Sequence, residues 1–415
     1  MASGQNGDSV WLWSARLQVL RNDIIVNMKK PTVGVFFGSR STEHDVSVVT
    51  AIASIIKPLE LSKKYHVLPV YIAKDGKWYM DKELQNIELF TSGKVDEWCN
   101  KHKPVQLLFA DGLQLVQPGF RKRPTKIDIA FPALHGTHGE DGEAMAMFEL
   151  ANIPYVGCNV SASVIAMDKV LAKQVAIANE IPTPRSVYFT KHEFERDQDT
   201  WITQINRTLT YPLFVKPAHL GSSIGISRVT DPKDLVNAIE VAVHYDDKAL
   251  VEEAVPNLIE VTLPIMGNDE PRSALLEQPL TKPEDFFDFT TKYMSGGKKG
   301  GGKKGGAKGA QGYSRIPADL PNELYVKAEN LGIAVYKALG CTGTARVDML
   351  IDSAAAQVYF NEVNPLPGSL YSHNWNKAGV SNVELVTGLV DLAIERYESR
   401  AALATVFETS YLQQF

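Results

Sequence analysis

The sequence predicts an α/β fold, and three observations carry the prediction. Short β-rich runs alternate with stretches of helical periodicity, the pattern of strands crossing over through helices. The first such unit is complete: residues 33–37 form a β-rich run, Gly38 opens a polar loop, and Val46, Val49, Ala53 and Ile56 follow at helical spacing. No run of eighteen uninterrupted apolar residues occurs, so a membrane-spanning helix is not expected.

The elements follow in order. Thr42-x-x-Asp45 is a capping-type signature at the start of the first helix. Residues 66–72 and 127–134 read as further strands, each ended by a polar or glycine-containing loop. The first domain is therefore expected to hold a mostly parallel sheet. Residues 161–180 follow one helical pattern, broken by Pro182 and Pro184. Residues 213–217 form a strand running into Gly221-Ser222-Ser223-Ile224-Gly225; residues 232–244 read as a helix and 249–255 as a strand. Residues 347–351 and 358–363 read as paired strands about a turn at 352–355, and 380–397 as an amphipathic closing helix. Residues 1–27 are expected to form a poorly ordered or peripheral extension, because Met28 opens a run that reads like the start of a domain. No internal repeat is visible.

Composition narrows the function classes. The 43 Lys and Arg against 48 Asp and Glu leave a net charge of −5, which argues against a bulk nucleic-acid binder. Three widely spaced cysteines, Cys99, Cys158 and Cys341, build neither a disulfide scaffold nor a four-cysteine zinc site and suit a reducing cytosol. The apolar N-terminal stretch is broken by Arg16, Arg21 and Asp23, a poor match to a signal peptide. Residues 296–309 hold eight of the 30 glycines and five lysines, a composition that buries little and favours a mobile loop. Its G-x-G-x-x-G match at 300–305 follows no strand and precedes no helix, so it is rejected as a nucleotide fingerprint, and no P-loop signature occurs.

Four constellations carry chemistry. Small residues in 221–225 let backbone N–H groups approach an anion, and Lys216 adds charge; the same residues would also make an ordinary hairpin turn. Arg346 and Asp348 share one strand face, as do Glu362 and Asn364, by the two-residue period of a strand. Such oxygen ligands suit Mg²⁺ beside nucleotide phosphates; a salt-bridge ladder is the alternative. His135-Gly136-x-x-Gly139-Glu140-Asp141-Gly142 is a tight loop at a strand end, where α/β proteins place ligands, although a histidine there is often structural. Glu43, opening the first helix, would hold a substrate ammonium or simply complement the helix dipole.

The ordered motifs GSRSTEHDVS, HGTHGEDG, YVGCNVSASVIAMDK, YPLFVKPAHLGSSIGIS, FFDFTTKY, ARVDMLI and YFNEVNPLPG resemble those of D-alanine–D-alanine ligases of the ATP-grasp superfamily, from about Val33 to Arg396. The resemblance implies a three-domain ATP-grasp fold: an N-terminal parallel-sheet domain over 28–157, a central domain over 158–250, and a C-terminal domain over 251–415. Its α+β nucleotide-binding part would carry an ω-loop at about 286–316. It implies ATP-dependent joining of two D-alanines through an acyl phosphate for peptidoglycan precursors, with two Mg²⁺ ions (or Mn²⁺). The setting would be cytoplasmic and the enzyme a homodimer, with no nucleic-acid or membrane partner.

The resemblance also implies residue roles. Lys169 and Lys216 would contact phosphates, with Ser223 and Lys292 also on the nucleotide. Glu252 would lie at adenine and Glu260 at the ribose; Asp348, Glu362 and Asn364 would ligate metal. Arg346 would serve the transferred phosphate and the oxyanion. Glu43 would hold the first ammonium, His135 would stand by the first carboxylate, and Ser369 and Leu370 would bind substrate. Ser222 and Tyr293 would link to Glu43 in a triad closing the loop. Four places depart from the pattern: Met145-Ala146 after GEDG, Ile259-Glu260-Val261-Thr262 with one acid and no arginine, the Gly/Lys tract in the ω-loop, and His373 five residues past Gly368, where many relatives place a serine. A ligase joining D-alanine to another amine or a hydroxy acid is the alternative, and retained Tyr293 favours the peptide. A nucleotide-binding protein without ligase activity is the other, against which the retained metal set argues.

Overall fold

The computed structural model describes residues 30–119, 123–280, 314–404 and 409–415. Residues 1–27, Lys292, Tyr293 and the Gly/Lys tract lie outside the described residues. No described helix is long and apolar enough to cross a membrane.

The first sheet has the order β3-β2-β1-β7, with β1 (Thr32–Gly38), β2 (His66–Ile72), β3 (Trp78–Met80) and β7 (Ile129–Pro132). β1 pairs in parallel with both β2 and β7. Its run Val33–Gly38 is buried throughout, as a parallel strand covered on both faces must be. A small antiparallel sheet of β4 (Gln106–Phe109), β5 (Leu113–Val116) and β6 (Thr125–Ile127) stands beside it. The expected single strand over 127–134 is thus two strands in two sheets. Asp128 makes the break: its carboxylate accepts the N–H of Thr32 (2.8 Å) and its own N–H bonds the Thr32 carbonyl (3.0 Å).

The helix after β1 begins at His44 rather than on a Thr42 cap. Ser41 Oγ accepts the N–H of Glu43 (3.1 Å) and Glu43 caps nothing, which leaves its carboxylate for the site. The helix passes from His44–Val49 through a π-helical stretch, Thr50–Ile56, into Lys57–Ser62.

The second sheet, β10-β9-β11-β8, joins β8 (Ser186–Thr190), β9 (Leu213–Pro217), β10 (Ser227–Val229) and β11 (Lys248–Glu253), all antiparallel. The third, β13-β12-β16-β17, joins β12 (Leu258–Gly267), β13 (Arg272–Ser273), β16 (Gly343–Asp352) and β17 (Gln357–Asn364). A short pair, β14 (Gln278–Pro279) with β15 (Ser314–Arg315), lies beyond it.

The expected helix over 161–180 is two, Val160–Met167 and Lys169–Ala178, because Asp168 leaves the helical conformation. Its carboxylate caps the second helix through the N–H groups of Val170 (2.9 Å) and Leu171 (3.1 Å), a contact worth ~1 kcal/mol. Ala162, Ala166, Ala172 and Ala176 let both helices lie close on the third sheet, in one core with Val261, Leu263, Val347 and Phe360. The last long helix, Asn382–Ala401, does not cover the sheet that precedes it. Leu385, Val386, Leu389 and Val390 instead join the core of the first sheet with Val33, Val35 and Ile52.

Candidate active site

Strand alternation divides core from cleft. On β16, Ala345, Val347, Met349 and Ile351 enter the core, so Arg346 and Asp348 face away from it. On β11, Ala249 and Val251 join the core of the second sheet, so Leu250 and Glu252 turn to the other face. Lys216 of β9 pairs with Leu250 and shares that face.

Lys216 Nζ donates to Glu252 Oε1 and to Asn361 Oδ1 (3.2 Å), crossing from the second sheet to the third. Lys173, from helix Lys169–Ala178, stands 3.0 Å from Glu252 Oε2. Burial would push the Glu252 carboxyl up, but Lys173 and Lys216 outweigh it and hold it down at about 2. Lys169, first residue of the same helix, donates to the Leu220 carbonyl (2.6 Å) and lies 3.5 Å from Glu362.

Asp348 and Glu362 are opposite one another in the β16–β17 register, and Arg346 is opposite Asn364. A register shift follows Asp348, whose next pair is Met349 with Phe360, so Asn361 is an extra residue. The bulge lets consecutive Asn361 and Glu362 both stay out of the core, while Phe360 and Val363 enter it. Arg346 grips Asp348 with two bonds, Nε to Oδ1 (2.7 Å) and Nη2 to Oδ2 (2.5 Å), and Asn364 Nδ2 donates to the same carboxylate (3.1 Å). Burial pushes the Asp348 carboxyl up against the pull of Arg346, and Glu362 adds to the rise. Two carboxylates and a carboxamide on neighbouring strands are a hard oxygen set, and it fits Mg²⁺ or Mn²⁺.

The loops bring a third group of residues to this face. Ser222 Oγ donates to Glu43 Oε1 across 179 positions of chain. The residues at 218–226 do connect an antiparallel pair, β9 and β10, so the hairpin and the candidate anion loop are one object. Ser222 and Ser223 are both left-handed, with φ of 55° and 60°, a backbone that turns successive N–H groups inward. Gly136 has φ of 68°, and a Cβ there would stand 2.7 Å from Ser41 Oγ and 3.1 Å from Glu43 Oε2. Its N–H donates to Glu140 Oε2 (2.8 Å). Burial, with Glu43 close by, pushes the Glu140 carboxyl up to about 8.

His135 is 3% exposed, and burial pushes it down to about 4, so the ring is neutral near pH 7. Its Nε2 lies 3.0 Å from Thr50 Oγ1, which also accepts the N–H of Ser369 (2.9 Å). Leu370 turns inward: its side chain is 1% exposed in the core of the first sheet and its N–H bonds Pro367 O (2.9 Å). The cause is three successive left-handed residues, Ser369, Leu370 and Tyr371 (φ 52°, 53° and 49°), which turn the chain back onto the core. Glu260 sits half-buried on β12 opposite Leu350, close enough to raise Lys216 electrostatically.

The base of the 218–226 loop is held by His219. Its N–H donates to Asp246 Oδ2 (2.7 Å), its Nδ1 lies 2.9 Å from Asp246 Oδ1, and its Nε2 lies 3.2 Å from Asp168. Asp168 and Asp246 push the imidazole up to about 9. The loop is thereby tied to the cap of the Lys169 helix.

Several neighbours escaped sequence reasoning. Lys173 carried a signal, a lysine four residues past Lys169 among the buried alanines of one helix face. Asn361 carried none, because it faces the cleft only through the bulge. Tyr371 lies under Arg346 (5.0 Å to the ring centre), and His373 Nε2 meets Glu277 (2.9 Å) beside the Tyr371 ring. Glu277 bridges Thr262, which is opposite Asp348, so this pair extends the same row of the sheet.

Comparison with known proteins places the chain. Residues 32–158 match the family model described as D-ala D-ala ligase N-terminus, and residues 175–391 match D-ala D-ala ligase C-terminus. The chain is 37% identical over 385 residues to a D-alanine–D-alanine ligase of Acetivibrio thermocellus, covering 89% of this chain and 97% of that one. It is 36% identical over 390 residues to one of Natranaerobius thermophilus, covering 92% and 100%. Among solved structures, the VanG D-Ala:D-Ser ligase from Enterococcus faecalis superposes with a TM-score of 0.73 at 30% identity, covering 88% of this chain and all of that one. The D-alanine–D-alanine ligase from Coxiella burnetii gives 0.73 at 26%, covering 90% and 97%. With its two halves matched in order and its sheets arranged as an ATP-grasp fold, the chain belongs to the D-alanine–D-alanine ligase family.

Proposed function

We propose that this protein joins two D-alanine molecules into D-alanyl-D-alanine with ATP and a divalent cation, releasing ADP and phosphate. One observation carries the reading. Lys169, Lys216 and Arg346 are ion-paired with Glu362, Glu252 and Asp348 respectively, where Lys216 also bridges the second sheet to Asn361 of the third. Such an arrangement is built for exchange: polyphosphate takes the cations and metal takes the carboxylates.

The chemistry follows from the residues. A carboxylate acylates poorly because its oxygen leaves badly, and phosphorylation by ATP activates it as an acyl phosphate. Phosphoryl transfer asks mainly for position and charge neutralisation, which Lys169, Lys216 and Arg346 supply. Asp348, Glu362 and Asn364 would hold two Mg²⁺ ions, whose charge would offset that of the phosphates. Glu43, fixed by Ser222, would take the ammonium of the first D-alanine, and neutral His135 would stand beside its carboxylate. The second D-alanine, its amine deprotonated, attacks the activated carbonyl, and Arg346 steadies the oxyanion. Glu252 and Glu260 would face the base and ribose, Ser223 and Lys292 would contact the nucleotide, and Ser222 and Tyr293 would link to Glu43 to close the loop. The dipeptide would feed peptidoglycan precursors, made in the cytoplasm by a homodimer.

His373 supports a second reading for the second substrate. An imidazole paired with Glu277 stands where many relatives place a serine, on the row that carries Asp348. That environment would accept an amine with a polar side chain, and VanG itself is a D-Ala:D-Ser ligase. Phosphate release with ATP, Mg²⁺ and D-alanine, followed by product mass, tests the first reading, and a panel of second amines tests the other. Absence of D-alanine-dependent phosphate release would remove both.

A further inference from the structure

The scheme above leaves Lys173 without a task. It is 3% exposed, one turn beyond Lys169, with Ala172 and Ala176 of its helix in the core against the third sheet. Its Nζ is 3.0 Å from Glu252 Oε2, a fully buried ion pair. Lys216 holds the other oxygen by a hydrogen bond. One carboxylate, itself 1% exposed, therefore has two ammonium partners. Burying a charge is expensive, and stability alone gives no reason to bury a second lysine against an already paired carboxylate.

We propose that Lys173 is a positioning residue: it is the standing counter-charge of Glu252, and it frees Lys216 to turn from that carboxylate to an anionic ligand in the cleft. The inference rests on the ligase reading, in which that ligand is nucleotide phosphate. Lys216 already divides its donors between Glu252 and Asn361, so it stands between two sheets with a short path to either. Were Lys173 absent, departure of Lys216 would leave a buried carboxylate unpaired, and Lys216 would stay locked to it. With Lys173 in place the carboxylate keeps one cation throughout, and the ligand competes only for the second.

The test is nucleotide affinity, measured with Mg-ADP by calorimetry and as the KM for ATP, in K173M, E252Q, K173M/E252Q, K216M, K216M/E252Q and K173M/K216M/E252Q. K173M should weaken nucleotide binding by about tenfold or more, with the KM for D-alanine unchanged. Because Glu252 also faces the base in the ligase reading, E252Q alone is the baseline: K173M/E252Q should bind as E252Q does, because a neutral amide no longer traps Lys216. In the E252Q background, where no buried carboxylate is left unpaired, K173M should add nothing to K216M. A structural role would behave otherwise: K173M/E252Q would bind more weakly than E252Q, and in that background the K173M and K216M losses would multiply, and either result overturns the inference. Should K173M fold poorly, K173M/E252Q removes one charge of each sign and is compared with E252Q alone; weaker binding in the double variant would overturn the proposal. A weakened K216M beside an unaffected K173M rejects the role of Lys173 alone. Unchanged affinity in K216M rejects the assignment of Lys216 and this inference with it.

Discussion

Replacing His219 with glutamine should make the protein less stable at neutral pH and change little in alkali. His219 is tied to Asp168 and Asp246, and these partners raise it from 6.5 to about 9. The folded value exceeds the unfolded one, so the stabilisation is fully present below pH 6.5 and is lost as pH rises through about 9. Two and a half pH units at ~1.36 kcal/mol each set a ceiling of ~3.4 kcal/mol. The side chain is 41% exposed, and solvent screening reduces the expected effect to ~1–2 kcal/mol. Lys248 keeps a second bond to Asp168 (2.6 Å), so the cap of the Lys169 helix survives the substitution. Urea unfolding of wild type and H219Q at pH 6 and pH 10 measures this: the gap should be ~1–2 kcal/mol at pH 6 and close to nothing at pH 10. A gap that is equal at both pH values, or that widens in alkali, would refute an imidazolium held between two carboxylates.

Three further outcomes are expected. Glu362→Ala should abolish phosphate release while leaving the circular dichroism spectrum unchanged; turnover near wild type would contradict a metal role. Thr50→Val keeps the shape but removes the oxygen shared by His135 and the Ser369 N–H, and it should cost about 1–3 kcal/mol in thermal unfolding. Gly136→Ala forces a methyl against Ser41 Oγ and Glu43 at a left-handed position, so it should raise the KM for D-alanine more than the KM for ATP. Equal effects on both would mean that Glu43 does not serve the amino acid.

The ladder of the third sheet was legible in sequence because its alternation is regular: Val347 and Met349 against Arg346 and Asp348 announce both the strand and its faces. The second sheet was partly legible for the same reason at 213–217. What escaped depends on single residues that interrupt a pattern. Asp128 hands one apparent strand to two sheets, and Asp168 divides one apparent helix into two. Neither can be told from an ordinary polar residue until its hydrogen-bond partners are known. Likewise, Thr50 reaches His135 from a π-helical stretch, whose register helical spacing does not reveal. Glu43 with Ser222 was expected only through the family resemblance, since 179 positions separate them.

The packing of helix Asn382–Ala401 on the first sheet has a consequence for how the protein is made. Val33 and Val35 leave the ribosome long before Leu385 and Leu389, the residues that complete their core. At about 5–20 residues per second, the interval is on the order of 20–70 s. Throughout it that face of the parallel sheet has only part of its cover, from Ile52, Ile55 and Leu59, a situation in which nascent chains recruit chaperones or stick to one another. Completion of the N-terminal core therefore waits for helix Asn382–Ala401, and a ribosome stalled before residue 385 displays an unfinished core.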